Sequence, residues 1–395
     1  MSDEVIRATD ANCMNTYRRF RIAAARGEGA WLWDTGGKKY LDFTSGIAVS
    51  VLGHCHPALV GAIKEQAREL IHTSNLFYTK PQARLAELLT RHSFADRVFF
   101  CNSGAEACEG AIKLSRKRAG EAGRSTTVVC AEGAFHGRTL GALGATSGEA
   151  YRRGFGPLPE GFVFVPYGDA AAAERAVREH GACAFMVEPI QGENGVVIPP
   201  KGYLSAMREV CSREGALLVL DEIQTGMGRT GKFLAHEHCG ITPDIAAIAK
   251  GLGGGVPCGA VLATGEAGSY FTPGSHGSTF GGGPLASACA AAVIEEISGS
   301  SLAENAAVRG SQLLEGLGAV AGVREARGVG LMAGVEFSSD TAAKAAVDLC
   351  AEKGLLTILT AGNVMRLLPP LTVSGEQVNL AVSIIREAAG EVAGK

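Results

Sequence analysis

The spacing of hydrophobic and polar residues first predicts a hairpin and two helices near the start of the chain. Residues 31–33 and 39–43 are strand-like runs separated by a glycine-containing turn, a pattern typical of a β-hairpin. Apolar residues then recur at helical spacing over 57–70 and 81–92, which predicts two amphipathic helices.

Short, continuously apolar runs follow through the middle of the chain. They lie at 98–101, 126–130, 162–166, 184–187, 216–220, 245–249 and 260–263. Runs without polar alternation are typical of parallel strands that helices cover on both faces. The sequence therefore predicts an α/β fold with a large, mainly parallel sheet.

A second, smaller α+β domain is expected from the two ends of the chain. A long helix is predicted from about Pro284, with strands at 330–337 and 364–367, and 395 residues suffice for two or three domains of about 150 residues each. The expected limits are 1–47 for the N-terminal part of the small domain, 48–289 for the large domain and 290–395 for the C-terminal part of the small domain.

Charge and glycine content narrow the functional classes. The 37 basic and 40 acidic residues give a net charge of −3, whereas nucleic-acid-binding proteins usually carry a marked basic excess. Glycine contributes 54 residues, about twice the usual share of roughly 7%. Many glycines lie in 133–148, 226–231, 251–255 and 274–283, so we expect these loops to approach a ligand through bare backbone.

The same composition bears on membranes and on the redox compartment. The longest apolar run, 286–294, is far shorter than the ~20 residues that cross a bilayer, and acidic residues stand where a signal peptide would be basic. The eleven cysteines are scattered, without a C-x-x-C pair. The sequence therefore predicts a cytoplasmic protein with reduced thiols and without a membrane or nucleic-acid partner.

Residues that directly follow the apolar runs are the candidates for chemistry, since open α/β sheets bind ligands at the carboxyl ends of their strands. Residues 102–107 are small enough to bring a helix N-terminus close to an anion, although taken alone they favour an ordinary helix start with Ser103 as the N-cap. Residues 133–139 combine an aromatic ring, a histidine and an arginine. This combination suits ring stacking and a carboxylate clamp, but a solvated loop has the same composition.

Asp221 and Lys250 follow two further apolar runs. A carboxylate at the end of a buried strand needs a cation or a hydrogen-bond donor. Desolvation of Lys250 would lower its pKa and make it a candidate Schiff-base amine, although lysines at strand ends also extend into solvent. An amine, a carboxylate, an aromatic ring and a phosphate cradle at neighbouring strand ends together predict a pyridoxal phosphate site.

Other motifs carry less weight. Residues 226–231 match G-x-G-x-x-G but lack the strand–helix context and the later acidic residue of a dinucleotide site. The pairs His54 with His56 and His236 with His238 come without further metal ligands, so we expect no metal centre.

The order and spacing of the motifs resemble those of the class III (ω-type) aminotransferases, which have pyridoxal phosphate fold type I. The resemblance runs through residues 14–17, 32–34, 53–57, 74–78, 103–107, 135–139, 188–193, 221–226, 249–251, 276–282 and 366–370. Three departures bear on fine substrate selectivity, and one is that residues 256–258 are Val-Pro-Cys rather than the usual Phe-Pro-Ile. Gly283 stands where the family commonly has asparagine, and Asn194 replaces a usual small residue.

This resemblance implies roles for the matching residues. Lys250 would carry the cofactor and shuttle a proton, and Asp221 would pair with the ring nitrogen, so these two would be catalytic. The implied cofactor-binding residues are Ser103, Gly104, Ala105, Phe135, His136, Asp221, Gln224, Lys250 and Thr279. The implied substrate-binding residues are Arg138, Ser278, Glu193, Arg366 and Tyr17.

The resemblance also implies how the substrates and a second subunit take part. Arg138 would clamp the donor's carboxylate, and Arg366 would take the α-carboxylate of 2-oxoglutarate. Glu193 would pair with Arg366 while an ω-amine donor is bound. Thr279 would reach the phosphate of the neighbouring subunit, which implies a homodimer with its site at the interface.

Within the family, the resemblance is strongest to members that move the δ-amino group of N2-acetylornithine to 2-oxoglutarate in arginine biosynthesis. Ornithine, succinylornithine and 4-aminobutyrate stay open as alternative donors, and an aminomutase or racemase on the same fold is a more remote alternative. A non-catalytic regulator is disfavoured, because the first 50 residues are too short and insufficiently basic for a DNA-binding module.

Overall fold

A computed structural model describes residues 2–318 and 320–394. The strands in chain order are β1 Ala24–Glu28, β2 Trp31–Asp34, β3 Lys39–Asp42, β4 Arg97–Cys101, β5 Val128–Ala131, β6 Phe162–Val165, β7 Ala184–Val187, β8 Leu217–Asp221, β9 Ile245–Ile248, β10 Gly259–Ala263, β11 Val323–Val329, β12 Met332–Phe337, β13 Leu355–Leu356, β14 Ile358–Thr360 and β15 Val364–Leu367.

Helices surround these strands. In chain order they are α1 Ser2–Asn12, α2 Ser45–Ala48, α3 Pro57–Glu69, α4 Lys80–His92, α5 Gly104–Glu121, α6 Leu140–Gly144, α7 Glu149–Arg152, α8 Ala170–Glu179, α9 Tyr203–Glu214, α10 Gly265–Gly268, α11 Pro284–Gly299, α12 Leu302–Gly318, α13 Asp340–Glu352 and α14 Gly375–Ala393. Two 3₁₀ turns span Ala235–Cys239 and Lys250–Gly253. The two amphipathic helices expected near 57–70 and 81–92 are α3 and α4.

The central sheet has seven strands in the order β4-β10-β9-β8-β7-β5-β6. Alternate residues of each strand face different cores. Val128 and Val219 pack in the core that includes α5, whereas Val129 and Leu218 pack in the core with α8 and α9. Because both faces are buried, these strands are apolar without interruption, as the sequence pattern predicts.

The sheet is not parallel throughout, and the expectation for residues 260–263 needs correction. Strands β5 to β9 pair in parallel, but β10 is antiparallel to both β9 and β4. Only residues 249–258 connect β9 to β10, whereas a parallel crossover needs a dozen or more residues. The chain therefore turns straight back at the sheet edge, and Lys250 lies in that turn.

Two four-stranded sheets flank this central layer. One has the order β1-β2-β3-β13 and contains the predicted hairpin as β2 and β3. Strand β13 pairs in parallel with β3, so this sheet joins the two ends of the chain. The other, β11-β12-β15-β14, is antiparallel and packs against helices α12 and α13. The domain limits remain a prediction.

Some elements escape the sequence pattern. Helix α1 and strands β1, β11, β13 and β14 were not among the expected elements, and β11 is mostly polar, with the sequence VREARGV. Strand β12 begins at Met332 rather than at residue 330. Gly330 has φ +56°, and a Cβ there would lie 2.5 Å from the backbone of Thr230. Residue 330 is therefore part of a tight turn, not of the strand.

The cysteines and the apolar helices bear on the expected compartment. All eleven cysteines are free thiols, eight of them buried. Within residues 2–318 and 320–394 no single helix has the length and apolarity to cross a membrane, although α11 and α12, bent by 65°, meet those criteria as a pair.

Candidate active site

Five chain segments meet at one edge of the central sheet. Strands β5, β7, β8 and β9 are parallel, and β4 runs in the same direction because it pairs antiparallel with β10. The residues after these strands therefore emerge together. They are Ser103 after β4, the loop 133–139 after β5, Glu188 after β7, Asp221 at the end of β8 and Lys250 after β9.

Asp221 is 4% exposed and is held by three donors. Its Oδ2 accepts hydrogen bonds from His136 Nδ1 at 2.7 Å and from the Cys108 thiol at 3.4 Å. Its Oδ1 accepts the backbone N–H of Ile223 at 3.0 Å. These bonds offset the cost of burying a carboxylate. Burial alone would lower the pKa of His136, but the Asp221 carboxylate raises it.

Ligand atoms of Cys108, His136 and Asp221 lie within 4.8 Å of one another, a spacing that also suits a metal ion. The 2.7 Å between the histidine nitrogen and the carboxylate oxygen is a hydrogen-bond distance, so the three side chains form a hydrogen-bonded cluster. Of the paired histidines, His54 contacts Asp42 at 2.8 Å and His236 contacts buried Glu222 at 3.2 Å.

Lys250 lies in the turn between β9 and β10 with φ +46°, a left-handed conformation that costs a non-glycine residue energy. Burial, followed by the positive charge of Arg366, lowers the pKa of its amine to about 8, although Glu193 and Asp221 oppose the shift. The amine is therefore partly neutral near neutral pH, as a nucleophile requires.

Glu188 belongs to the motif at residues 188–193 but was not among the predicted site residues. In the structure it connects two parts of the site. Its Oε1 accepts the backbone N–H of Phe135 at 3.0 Å, and its Oε2 accepts that of Gly192 at 3.3 Å. Burial and the nearby Asp221 raise the pKa of Glu188 to about 7. It follows the apolar run 184–187 as Asp221 follows its own run, so the same strand-end argument applies to it.

An aromatic pair lies beside these carboxylates. The rings of Phe135 and Tyr151 meet edge to face at 5.3 Å, and the Arg138 guanidinium lies 4.4 Å from the Tyr151 ring centre and 5.5 Å from that of Phe135. Arg138 is otherwise exposed, which leaves its charge open to a ligand. Nothing in the sequence around Tyr151 signals its place here.

The N-terminus of α5 forms a cradle of small residues. Ser103 caps the helix by accepting the Glu106 N–H, and Gly104 and Ala105 begin its first turn, where backbone N–H groups have no acceptor within the helix. A Cβ at Gly104 would lie 2.9 Å from the Ile223 side chain. Gly137, at φ +139°, packs against Ala105 with room for no side chain. Backbone donors are thus accessible to an anion.

Arg366, on β15, is 1% exposed and pairs with Glu193, which is 26% exposed. Its Nη1 donates to Glu193 Oε1 at 2.8 Å and to Gln224 Oε1 at 3.2 Å. Burial would raise the pKa of Glu193, but Arg366 holds it below the usual value. The Nε of Arg366 has no partner among the described residues, so this guanidinium retains donor capacity.

The remaining candidates lie farther out. Ser278 Oγ accepts hydrogen bonds from Asn102 Nδ2 at 3.2 Å and Gly281 N at 2.9 Å, which puts it beside the α5 cradle. Thr279 is exposed on the adjoining loop. Tyr17 is 70% exposed, and its ring faces Arg19. Among the contacts of the described residues, neither Thr279 nor Tyr17 reaches the other candidates within this one chain.

The glycine-rich loops divide between the site and the rest of the protein. Gly137 closes the cradle, but Gly228 and Gly231 in the loop 226–231 face Leu371 and Ala307. At these two glycines the expectation that the loop approaches a ligand is not met, because both serve close packing against C-terminal elements.

The residues present fit pyridoxal phosphate. A cradle without obstructing side chains suits its phosphate, the anchored Asp221 suits its ring nitrogen, and the amine of Lys250, with its lowered pKa, suits its aldehyde. The unpartnered Nε of the buried Arg366 leaves donor capacity for a substrate anion in the same site.

Known proteins have the same sequence pattern and fold. Residues 13–389 match the family model for Aminotransferase class-III. The acetylornithine aminotransferase of Gloeobacter violaceus is 50% identical over 392 residues, which cover 96% of each chain. The ornithine aminotransferase of Toxoplasma gondii has a TM-score of 0.96 at 35% identity, covering 100% of this chain and 96% of that one.

A third similar protein is the acetylornithine aminotransferase of Elizabethkingia anophelis, with a TM-score of 0.89 at 34% identity and 99% of both chains covered. These matches confirm the predicted fold and cofactor class. The chain therefore belongs to the class III aminotransferases, the pyridoxal phosphate enzymes of fold type I that its motifs resemble.

Proposed function

We propose that the protein transfers the δ-amino group of N2-acetylornithine to 2-oxoglutarate, which yields N-acetylglutamate 5-semialdehyde and glutamate in arginine biosynthesis. The observation that carries this proposal is the pair of buried Arg366 and partly exposed Glu193, 2.8 Å apart. The choice of donor is supported by the 50% identity to an acetylornithine aminotransferase.

The Arg366–Glu193 pair suits an enzyme that must accept two different substrates in one pocket. Next to its reacting carbon, 2-oxoglutarate carries a carboxylate, which a buried arginine would bind in bidentate geometry. The δ-carbon of acetylornithine carries no such charge, and an unpaired buried guanidinium would then be costly. Glu193 removes that cost while the donor is bound, and its partial exposure lets it move away for the acceptor.

Arg138 is proposed to hold the donor's own carboxylate. Its guanidinium is exposed and lies against the ring faces of Tyr151 and Phe135, which fixes its orientation. Ser278 lies at the α5 cradle through Asn102 and is proposed to assist at the same end of the substrate.

Proton movement is assigned to Lys250. When bound, pyridoxal phosphate supplies an electron sink for the pair released as a substrate C–H bond breaks. With a pKa of about 8, Lys250 Nζ both accepts and returns a proton near neutral pH. Asp221, held by His136 and Ile223, is proposed to hold the proton on the ring nitrogen.

A second copy of the chain is proposed to complete the site. Asn75 Nδ2 donates to the carbonyls of Ser278 and Gly281, so the segment after Asn75 and the loop around Thr279 form one surface. This surface exposes Leu76, Phe77, Tyr78 and Phe280. Apolar groups clustered in this way favour burial by a partner, and Thr279 would then face the partner's cradle. We propose the cytoplasm as the location.

Steady-state rates with a panel of amines test the donor assignment. We expect N2-acetylornithine to have the highest kcat/KM, ahead of ornithine, succinylornithine and 4-aminobutyrate. Ornithine is the second candidate, since an ornithine aminotransferase has the same fold at a TM-score of 0.96. A panel in which acetylornithine does not rank among the best donors would refute the proposal, and turnover without 2-oxoglutarate would indicate an aminomutase or racemase instead.

A further inference from the structure

Cys108 lies behind the Asp221 carboxylate in a position that the proposed function does not yet explain. It belongs to the second turn of α5, is 0% exposed and has its Sγ 3.4 Å from Asp221 Oδ2. Sulfur is larger than oxygen, so this separation is a contact distance for an S–H···O hydrogen bond.

The sulfur atom acts as a donor in this contact. Burial, and next the negative charge of Asp221, raise the pKa of the Cys108 thiol well above its usual value. The proton therefore stays on sulfur near neutral pH. A carboxylate oxygen only accepts, so the S–H must point to Oδ2.

The donors around Asp221 are unequally divided between its two oxygens. A carboxylate offers about two acceptor positions on each oxygen. Oδ2 receives His136 Nδ1 and the Cys108 thiol, whereas among the described residues Oδ1 receives only the backbone N–H of Ile223. One acceptor position is therefore left, and it is on Oδ1.

We propose that Cys108 is a positioning residue for the cofactor: with His136 it saturates Oδ2 of Asp221 and so reserves Oδ1 for the protonated ring nitrogen. This inference rests on the proposed function, because it assumes that Asp221 serves that nitrogen. It adds a residue whose side chain touches neither cofactor nor substrate but determines which carboxylate oxygen is free.

The same contact ties two parts of the site together. Helix α5 begins with the cradle at Gly104 and Ala105, and Cys108 lies about one turn further along. Its hydrogen bond to Asp221 therefore links the helix that is proposed to bind the phosphate with the strand end that is proposed to bind the ring.

Cofactor affinity of the apoenzyme tests this role. Cys108→Ala removes the donor, and we expect it to weaken pyridoxal phosphate binding about fivefold, as for loss of one modest hydrogen bond. Cys108→Ser retains a donor and should stay within about twofold of wild type. Cys211→Ala is the matched control, since Cys211 is also a fully buried helix cysteine, and should leave affinity unchanged.

A cofactor analogue separates positioning from packing. With 1-deaza-pyridoxal phosphate, which has carbon in place of the ring nitrogen, the difference between Cys108→Ala and wild type should vanish. An equal loss with both compounds, or equal affinities for Cys108→Ala and Cys211→Ala, would overturn the proposal. If wild type bound no pyridoxal phosphate, the proposed function itself would fail. If Cys108→Ala does not fold, the cofactor affinities of Cys108→Ser, which keeps a donor, and Cys108→Val, which has none, give the same comparison.

Discussion

Asp221 and Arg366 are both buried charges in one site, but their surroundings differ in kind. Asp221 has three donors, two from side chains and one from the backbone, all deep in the fold. Arg366 uses a single nitrogen for both of its partners, Glu193 and Gln224, and its Nε has none among the described residues.

The different surroundings of Asp221 and Arg366 match the different roles proposed for them. A group that serves a resident cofactor benefits from fixed geometry, because a preorganised charge needs no rearrangement during the reaction. A group that meets two different substrates must exchange partners. Glu193, which is 26% exposed, is proposed as the partner that Arg366 exchanges, whereas Asp221 is held by donors that are fixed in the fold.

The largest loss of activity is expected among the residues proposed to bind the cofactor. Lys250→Ala removes both the proposed nucleophile and the proposed proton carrier, so kcat should fall by at least about 10⁴-fold. The adduct that borohydride traps with pyridoxal phosphate should also disappear from mass spectra. Lys117→Ala is the control, since Lys117 lies near the C-terminal end of α5 and pairs there with Glu121. Persistence of the trapped adduct in Lys250→Ala would falsify the assignment.

Among the residues proposed to bind substrate, Arg366→Leu should lower kcat/KM for 2-oxoglutarate by about 100-fold or more, since the proposed buried charge pair with the substrate carboxylate is lost. The visible absorbance of bound cofactor should remain, because Asp221 and the α5 cradle are unchanged. Loss of cofactor along with acceptor activity would show that cofactor binding and substrate binding are not independent.

A smaller, selective effect is expected for Glu193→Ala. Without its carboxylate, Arg366 stays free for α-carboxylates, so α-amino donors should gain relative to ω-amines by about tenfold. Single-turnover rates of cofactor conversion with glutamate and with N2-acetylornithine measure the ratio. An unchanged ratio would contradict the proposal that Arg366 exchanges Glu193 for a substrate carboxylate, but it would not affect the roles proposed for Asp221 and Lys250.

The smallest effect concerns pH. Only the neutral amine of Lys250 attacks an aldehyde, so the rate at which apoenzyme combines with pyridoxal phosphate should rise with pH through a midpoint at about 8. Glu193→Gln should move this midpoint to lower pH, and Arg366→Leu to higher pH, because Glu193 raises and Arg366 lowers the pKa of Lys250. Shifts of the opposite sign would contradict the electrostatic coupling.

Strand-end reasoning found Asp221 and Lys250 because both follow apolar runs that are visible in the sequence. The same rule reaches Glu188, which follows residues 184–187. It does not reach Cys108, which lies inside a helix and meets Asp221 across 113 positions of sequence. Tyr151 was missed for the same reason, since its contacts to Phe135 and Arg138 depend on how a loop folds back.

By itself the sequence determined the α/β class, the positions of most strands and the sheet edge at which chemistry is placed, because apolar periodicity and strand ends are local properties. Tertiary structure alone decided that β10 runs backwards and that Cys108 and His136 share one oxygen of Asp221. It also decided that buried Arg366 pairs with a partly exposed carboxylate, that of Glu193. Those features depend on which distant segments meet, and hydrogen bonds between distant segments leave no periodic signal in the sequence.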